Sequence, residues 1–318
     1  MKKVLVTGSG GFVGRVLTST LQANGYEIWG VDRRPDPDGA PDRMITADLN
    51  DKKAVDKVLD DIQPDSIVHL AAQASAGQSF DEPHFTIQNN LLPVLHILES
   101  LRLSGASTRL LVVGSAEVYG PVIADELPLS ETRAPNPVSP YALSKWLQEQ
   151  CCTQYAARYG TDVVMTRSFN HTGAGQSDTF ALPSFARQIV DIKKGKGEPE
   201  VAVGNIEVRR DFLDVRDVCR AYQLLLERGK SGAVYNVCSG ISWSLRDMLR
   251  KLAKFAGVDV TFRVDEGRMR PVDIEDLRGD NTNLITDTGW ERLKSIDDML
   301  QALIEYWSEN DTKGEESK

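Results

Sequence analysis

A doubly wound parallel α/β sheet with a smaller mixed α/β region beside it is the fold class this sequence predicts, on three observations. Short apolar and β-branched runs alternate with helical periodicity through the first two thirds of the chain. A glycine-rich turn joins the first of these runs directly to a helical pattern. After Ser168 the alternation loosens into glycine-rich connections between further helical stretches. At 318 residues the chain is long enough for one sizeable α/β domain with an appended binding region.

Each element follows from local pattern. Val4-Leu5-Val6 centre a strand at 3–7, and Thr7 to Gly14, TGSGGFVG, turn it into a helix starting near Phe12. Glycines at 8, 11 and 14 omit the Cβ atoms that would bar a tight turn, backbone approach to a phosphate and close helix–strand contact. Such a turn, with Phe12 and Val13 inside it, is built to hold a dinucleotide pyrophosphate. The next strand, 27–31, leads to Asp32, near the roughly 20-residue interval at which a carboxylate grips the adenosine ribose. Arg33 and Arg34 beside it suit a ribose phosphate, so NAD and NADP both stay open.

Strands are expected next at 66–70, 109–115 and 162–168. The segment 83–103 carries Leu91, Leu92, Val94, Leu95, Leu98 and Leu101 on a broad apolar face that reads as core packing, and Pro93 is expected to kink that helix or delay its start. Further helices are expected near 181–193, 215–228, 244–256 and 296–307. The resulting division is a dinucleotide-binding domain at 1–170 plus about 213–240, a substrate region at 171–212 and 241–309, and a frayed charged tail at 310–318.

Composition narrows the partners. A net charge of −9, with 41% hydrophobic and 26% charged residues, weighs against nucleic acid or an anionic membrane surface. No apolar run approaches a membrane span and the N-terminus enters a strand at once, so a cytoplasmic protein is expected. Cys151, Cys152, Cys219 and Cys238 lack CxxC spacing, and His69, His84, His96 and His171 are scattered; the thiols read as reduced and mostly buried, with no metal site.

Reactive chemistry concentrates in two stretches. Tyr141 and Lys145 of YALSK stand four apart after Pro140, which suits the first turn of a helix, so phenol and ammonium share one face. An ammonium beside a phenol favours the phenolate, which predicts a tyrosine pKa lowered from about 10 toward neutrality. The preceding strand ends in Gly114-Ser115-Ala116-Glu117, placing Ser115 at the C-terminal sheet edge where doubly wound folds set their reacting groups.

TGSGGFVG, HLAAQ at 69–73, SAEVYG at 115–120, YALSK and RRDFLDVRD at 209–217 together resemble the extended short-chain dehydrogenase/reductase superfamily, in its order and over nearly the whole chain. The resemblance implies a Rossmann-type fold and an NAD(P)H cofactor. It implies that Ser115 and Tyr141 hydrogen-bond a sugar carbonyl or hydroxyl, that Tyr141 is the acid/base, and that Lys145 also holds the nicotinamide ribose. Asp48 and Leu49 would flank the adenine, while Leu70, Ala71, Ala72, Gln73 and Phe169 would line the cofactor groove.

FNHTGAGQ at 169–176 is similar to the FNHxGxGQ stretch of GDP-4-keto-6-deoxy-D-mannose reductases, as are Gly204-Asn205-Ile206 before Arg209-Arg210-Asp211, and RPVDI at 270–274. Ala174 departs from the family's usual proline. The GN(L/I)xxxRD run is shared with GDP-mannose 4,6-dehydratases and points to a GDP-sugar. The resemblance therefore implies reduction of a C4 ketone to GDP-D-rhamnose, by a homodimer packed through the YALSK helix and the helix around Leu91 to Leu101. A sugar diphosphate on an acidic protein needs a local cationic clamp, for which Arg210 and Arg270 are candidates; Arg209, Arg268 and Arg278 read as surface groups. Asn170 is expected to contact the diphosphate or sugar, whereas His171 has only its loop position to recommend it.

Three other readings compete. A dehydratase needs an acid and a base to expel water: Ala116 can transfer no proton, but Glu117 is able to. A C4 epimerase would share the same hydride geometry. A silent dinucleotide sensor would be expected to have lost Ser115, Tyr141 or Lys145, all of which are present.

Overall fold

The computed structural model describes residues 2–35, 43–269 and 274–310. From the N-terminus the chain runs β1 (Lys3–Thr7), α1 (Phe12–Ala23), β2 (Glu27–Asp32), β3 (Met44–Thr46), α2 (Lys52–Ile62), β4 (Ser66–His69), α3 (Ala76–Asp81), α4 (Pro83–Ser104), β5 (Arg109–Val113), α5 (Pro140–Tyr159) and β6 (Val163–Ser168). It continues through β7 (Asn170–Thr172), α6 (Ala181–Lys193), β8 (Glu200–Val203), β9 (Arg209–Asp214), α7 (Val215–Arg228), β10 (Val234–Val237), β11 (Ser242–Ser244), α8 (Leu245–Ala256), β12 (Thr261–Val264), β13 (Asp276–Leu277), α9 (Thr282–Thr288) and α10 (Ile296–Glu309).

Seven strands form one parallel sheet in the order β10-β6-β5-β4-β1-β2-β3. Because side chains alternate along a strand, its apolar runs feed both faces. Val4 and Val6 join Leu17 and Leu21 of α1 and Val218 and Tyr222 of α7. Leu5, between them, joins Val55 and Leu59 of α2 and Ile97 and Leu98 of α4 on the opposite face. Each such side chain, when fully buried, contributes about 1.5–3 kcal/mol. The strand order reverses between β1 and β4, so the loops leaving these strands diverge and open a crevice at their C-terminal ends.

The five strands expected from sequence are present, with β4 and β5 ending at His69 and Val113, sooner than the apolar runs suggested. β3 and β10 were not anticipated, and both are edge strands. Pro93 neither delays nor interrupts α4, which starts at Pro83 and runs unbroken to Ser104. Burial of Val94, Ile97, Leu98 and Leu101 outweighs the backbone hydrogen bond that Pro93 cannot make.

A second hydrophobic core lies outside the sheet. Leu182, Phe185 and Ile189 of α6, Met248, Leu249 and Leu252 of α8, and Leu300 and Leu303 of α10 close around Val201 and Val203 of β8 and Phe212 of β9. Beneath them β9 is flanked by antiparallel β11 and parallel β13, and also pairs with β7, which follows β6 almost directly. This small sheet therefore begins where the large one ends, and residues of both line the crevice. No helix among the described residues is long and apolar enough to cross a membrane.

Candidate active site

The glycine turn is shaped by contacts that no larger residue would permit. Gly8 has φ +70° and donates its N–H to Val31 O at 2.7 Å. A Cβ on Gly14 would lie 2.2 Å from Gly8 O, far inside contact distance, so only glycine lets α1 seat against the turn. α1 starts with Gly11 at its N-cap, without a side-chain cap and without an acidic residue in the first turn. Its leading N–H groups and positive dipole end are thus left for an anion, and the cradle fits a dinucleotide pyrophosphate.

Thr7 fastens this turn to the neighbouring strand. Its Oγ1 pairs with His69 Nδ1 at 2.9 Å and accepts from Ala71 N at 3.2 Å. Burial, with a smaller push from the Lys145 charge, drives the His69 pKa down to about 3, so the ring stays neutral.

A cavity of about 770 Å³ runs along the crevice from Gly8, Gly11, Phe12, Val13 and Gly14, past Leu70 and Ala72, to Ser115, Glu117, Tyr141, Lys145 and Phe169, and on to Asn170 and Arg210. Ser115 caps a 3-10 turn at the end of β5, accepting the Glu117 N–H at 3.2 Å, which leaves its own hydroxyl proton to donate elsewhere. Tyr141 lies in the first turn of α5, whose N-cap Ser139 accepts Ala142 N at 3.0 Å. One turn on, Lys145 is buried and donates from Nζ to Val113 O at 2.8 Å.

The electrostatics reverse the expectation for the phenol. Burial pushes the Tyr141 pKa well up, the Glu117 carboxylate adds to it, and Ser115 opposes only partly. Burial in turn holds the Lys145 ammonium down at about 8. The lysine charge is directed at the Val113 carbonyl, so it does not outweigh desolvation of the phenol. Tyr141 therefore keeps its proton at neutral pH, the form in which it can act as a general acid.

The other expected cofactor residues stand outside this cavity. Asp32 accepts from Gly10 N at 3.3 Å and Arg33 N at 2.7 Å, bracing the turn. Arg33 reaches Asn89 Oδ1 at 3.2 Å, beside Asn50, whose N and Nδ2 both donate to Asp48 Oδ1 at 3.0 Å. Leu49 turns its side chain into the core while its carbonyl accepts His96 Nδ1 at 2.9 Å. The Ala71 side chain packs against the same core, and Gln73 N donates to Asn90 Oδ1 at 2.8 Å. Arg270 lies outside the described residues.

Three residues matter here beyond those expected. Asn90, buried on α4, also donates to Gln73 O at 3.2 Å and Ser144 Oγ at 2.9 Å, locking the loop after β4 to the helix of Tyr141. Its place in the NN pair before an apolar run gave no sign of this. Arg268, read as a surface group, lines the cavity and donates to Ser184 Oγ at 3.1 Å. His171 lines it too, donating from Nδ1 to Phe169 O at 3.0 Å, with burial lowering its pKa. Arg210 is buried on β9 and donates to Arg209 O at 2.8 Å and Ile274 O at 2.6 Å.

Comparison with known proteins places these features in a family. The sequence model of the GDP-mannose 4,6 dehydratases matches residues 5–303. A GDP-6-deoxy-D-mannose reductase from Pseudomonas aeruginosa is 38% identical over 96% of this chain and 97% of its own length. A GDP-6-deoxy-D-talose 4-dehydrogenase from Aggregatibacter actinomycetemcomitans is 28% identical over 95% and 96%. The solved structure of RMD from Pseudomonas aeruginosa complexed with NADPH superposes with a TM-score of 0.87 at 36% identity, covering 97% of this chain and 99% of that one. Since the family match begins in β1 and ends in α10, spanning both the sheet and the second core, the chain belongs to the GDP-mannose 4,6-dehydratase family.

Proposed function

We propose that this protein is an NAD(P)H-dependent reductase that converts the C4 ketone of GDP-4-keto-6-deoxy-D-mannose to GDP-D-rhamnose. The observation that carries the reading is the continuous cavity from the glycine cradle, past Ser115 and Tyr141, to Arg210 and Arg268. It offers in sequence an anion site, a proton donor and a second cationic end. The 38% identical reductase and the neighbour complexed with NADPH support the same chemistry.

The lining of the cavity supports the following residue roles. The cradle of Gly8, Gly11 and Gly14 and the start of α1 would hold the cofactor pyrophosphate, with Asp32 and Arg33 at its adenosine end and Lys145 at the nicotinamide ribose. When bound, the reduced nicotinamide supplies a hydride for the sugar carbon. Ser115, whose oxygen accepts the Glu117 N–H, would donate its proton to the C4 oxygen. Tyr141 donates its proton to that oxygen as negative charge develops there, a contribution of roughly 100- to 10,000-fold for a positioned acid. Asn170 and Arg210 bind the sugar diphosphate, and contacts remote from C4 orient the ketone.

The division of labour assigns residues 1–170 and about 213–240 to the cofactor, and 171–212 with 241–309 to the nucleotide sugar. A cytoplasmic homodimer would bury the faces of α4 and α5 that leave Leu103, Leu143 and Tyr159 exposed. The alternative, a GDP-mannose 4,6-dehydratase, draws on Glu117 at the cavity wall. Ala116 counts against it, being apolar and packed with Phe169 and Leu277. Assaying both substrates side by side separates the two. The reductase consumes about one reduced nicotinamide per ketone and leaves GDP-mannose untouched. Formation of a keto sugar from GDP-mannose sinks the reading.

A further inference from the structure

A small chamber of about 40 Å³ opens off the cavity next to the reacting pair, walled by Ala76, Phe80, Val138 and Leu277. Glu117 and Ser139 edge it, and Asn170 and Arg210 belong to both spaces. We propose that this chamber receives the C6 methyl of the sugar and selects 6-deoxy sugars over their 6-hydroxylated counterparts. The inference rests on the reductase reading and adds to it which part of the sugar sets specificity.

Both edge residues are tied to the groups that would hold the C4 oxygen: Glu117 donates its N–H to Ser115 Oγ at 3.2 Å, and Ser139 caps α5, whose first turn holds Tyr141. In the sugar ring C5 is bonded to C4 and carries C6, so a ketone fixed at Ser115 and Tyr141 puts C6 within reach of this edge. A space of about 40 Å³ exceeds the ~10–15 Å³ that one water requires. A methyl group fits.

Phe80 is 38% exposed and Val138 37%, an apolar pair in the chamber wall. A methyl group laid between them removes apolar surface from water on both sides. A hydroxymethyl laid against Phe80 and Val138 would turn its oxygen toward side chains that offer it no hydrogen bond, and it could find a polar partner only at the edge formed by Glu117, Ser139, Asn170 and Arg210. An apolar wall facing the added hydroxyl disfavours it by about 10- to 100-fold.

GDP-D-rhamnose and GDP-mannose differ only in the C6 hydroxyl, which makes them the probes. Calorimetric titration of the cofactor-loaded enzyme should give GDP-D-rhamnose the lower Kd by about tenfold or more. Val138→Thr, which keeps shape and adds a hydroxyl, should narrow that ratio, and Phe80→Ala should narrow it by weakening the 6-deoxy sugar. Both side chains are partly exposed, so both variants should fold. Equal affinity for the two sugars in the native protein overturns the proposal, as does an unchanged ratio in both variants. Turnover of the 4-keto sugar is followed in the same samples. Turnover without discrimination rejects the chamber alone, whereas no turnover in the native protein rejects the reductase reading itself.

Discussion

Lys145 Nζ donates to the carbonyl oxygen of Val113 at 2.8 Å, so the ammonium is tied to the end of β5, just before the chain reaches Ser115. Burial holds this group at about 8, well below the ~10.4 of a free lysine. As pH rises through about 8 the ammonium loses its charge, while Tyr141 keeps its proton because its own value is pushed far higher. The alkaline limb of kcat/KM for ketone reduction should therefore belong to Lys145. Lys145→Met should remove the limb near pH 8 and leave a low, flat profile with weakened cofactor binding. A limb that persists at the same pH in this variant assigns it to another group.

Tyr141→Phe should preserve cofactor and GDP-sugar affinity, since the ring still packs at the start of α5, and lose turnover by roughly 100- to 10,000-fold with the proton donor. Single-turnover kinetics with bound reduced cofactor isolates the chemical step. Near-native rates in that measurement exclude Tyr141 as the acid.

What sequence reasoning reached, and what it missed, divides along physical lines. The inner strands are legible because burial on both faces demands continuous apolar runs, as in Val4-Leu5-Val6 and Leu110-Leu111-Val112. β3 and β10 escape because an edge strand pairs on one side only, and three or four residues suffice. Ser115, Tyr141 and Lys145 were legible from spacing, since residues four apart on a helix meet the same strand end. The direction of the tyrosine pKa was not: it depends on burial and on the Val113 carbonyl as partner of Lys145, which spacing cannot express. Arg268 escaped for a similar reason. Its approach to the cavity depends on Gly204, where a Cβ would lie 2.5 Å from the Arg268 carbonyl, a long-range contact between two loops.

Gly14→Ala tests the cradle. Its methyl would sit 2.2 Å from Gly8 O and 2.7 Å from Ser9 Cα, both backbone atoms that can yield only by moving the turn. Overpacking of this kind costs about 1–3 kcal/mol. Thermal unfolding should show a lower Tm, and added NADPH should restore less of it than in the native protein, because the displaced turn binds the cofactor more weakly. An unaltered Tm with full cofactor stabilisation contradicts the close seating of α1.

Asp211 is fully buried and accepts from Ser239 N at 2.7 Å, Ser239 Oγ at 2.6 Å, Gly240 N at 2.9 Å and Gly279 N at 3.4 Å, joining β9 to the loops after β10 and β13. Burial raises its pKa to about 6 despite those bonds. The folded value lies above the unfolded ~3.9, so its contribution is fully present below about pH 4 and is lost as pH rises through about 6; the difference is worth roughly 2–3 kcal/mol. Asp211→Asn should flatten that part of the stability profile. At pH 7 it should also cost about 1–3 kcal/mol, because its amide N–H₂ meets backbone donors. Denaturant unfolding of both proteins across pH 4 to 7 provides the comparison, and parallel profiles would refute the assignment.

The two arginines at the far end of the cavity should respond differently to truncation, because their protein contacts differ. Arg210 is buried and holds the carbonyls of Arg209 and Ile274, so Arg210→Ala removes donors that these carbonyls use and should lower stability by about 1–3 kcal/mol as well as weaken GDP binding. Arg268 is 44% exposed at its side chain and bonds only Ser184 Oγ and Asp265 among the described residues. Arg268→Ala should leave Tm nearly unchanged, and solvent screening limits its loss in GDP affinity to about 1 kcal/mol, roughly fivefold in Kd. Calorimetric titration with GDP, run beside thermal unfolding, reads both quantities on each variant. A fivefold loss at Arg268 without a change in Tm supports direct contact with the diphosphate. If GDP binds both variants as it binds the native protein, the anionic end of the substrate lies elsewhere and the direction of the nucleotide sugar along the cavity has to be redrawn.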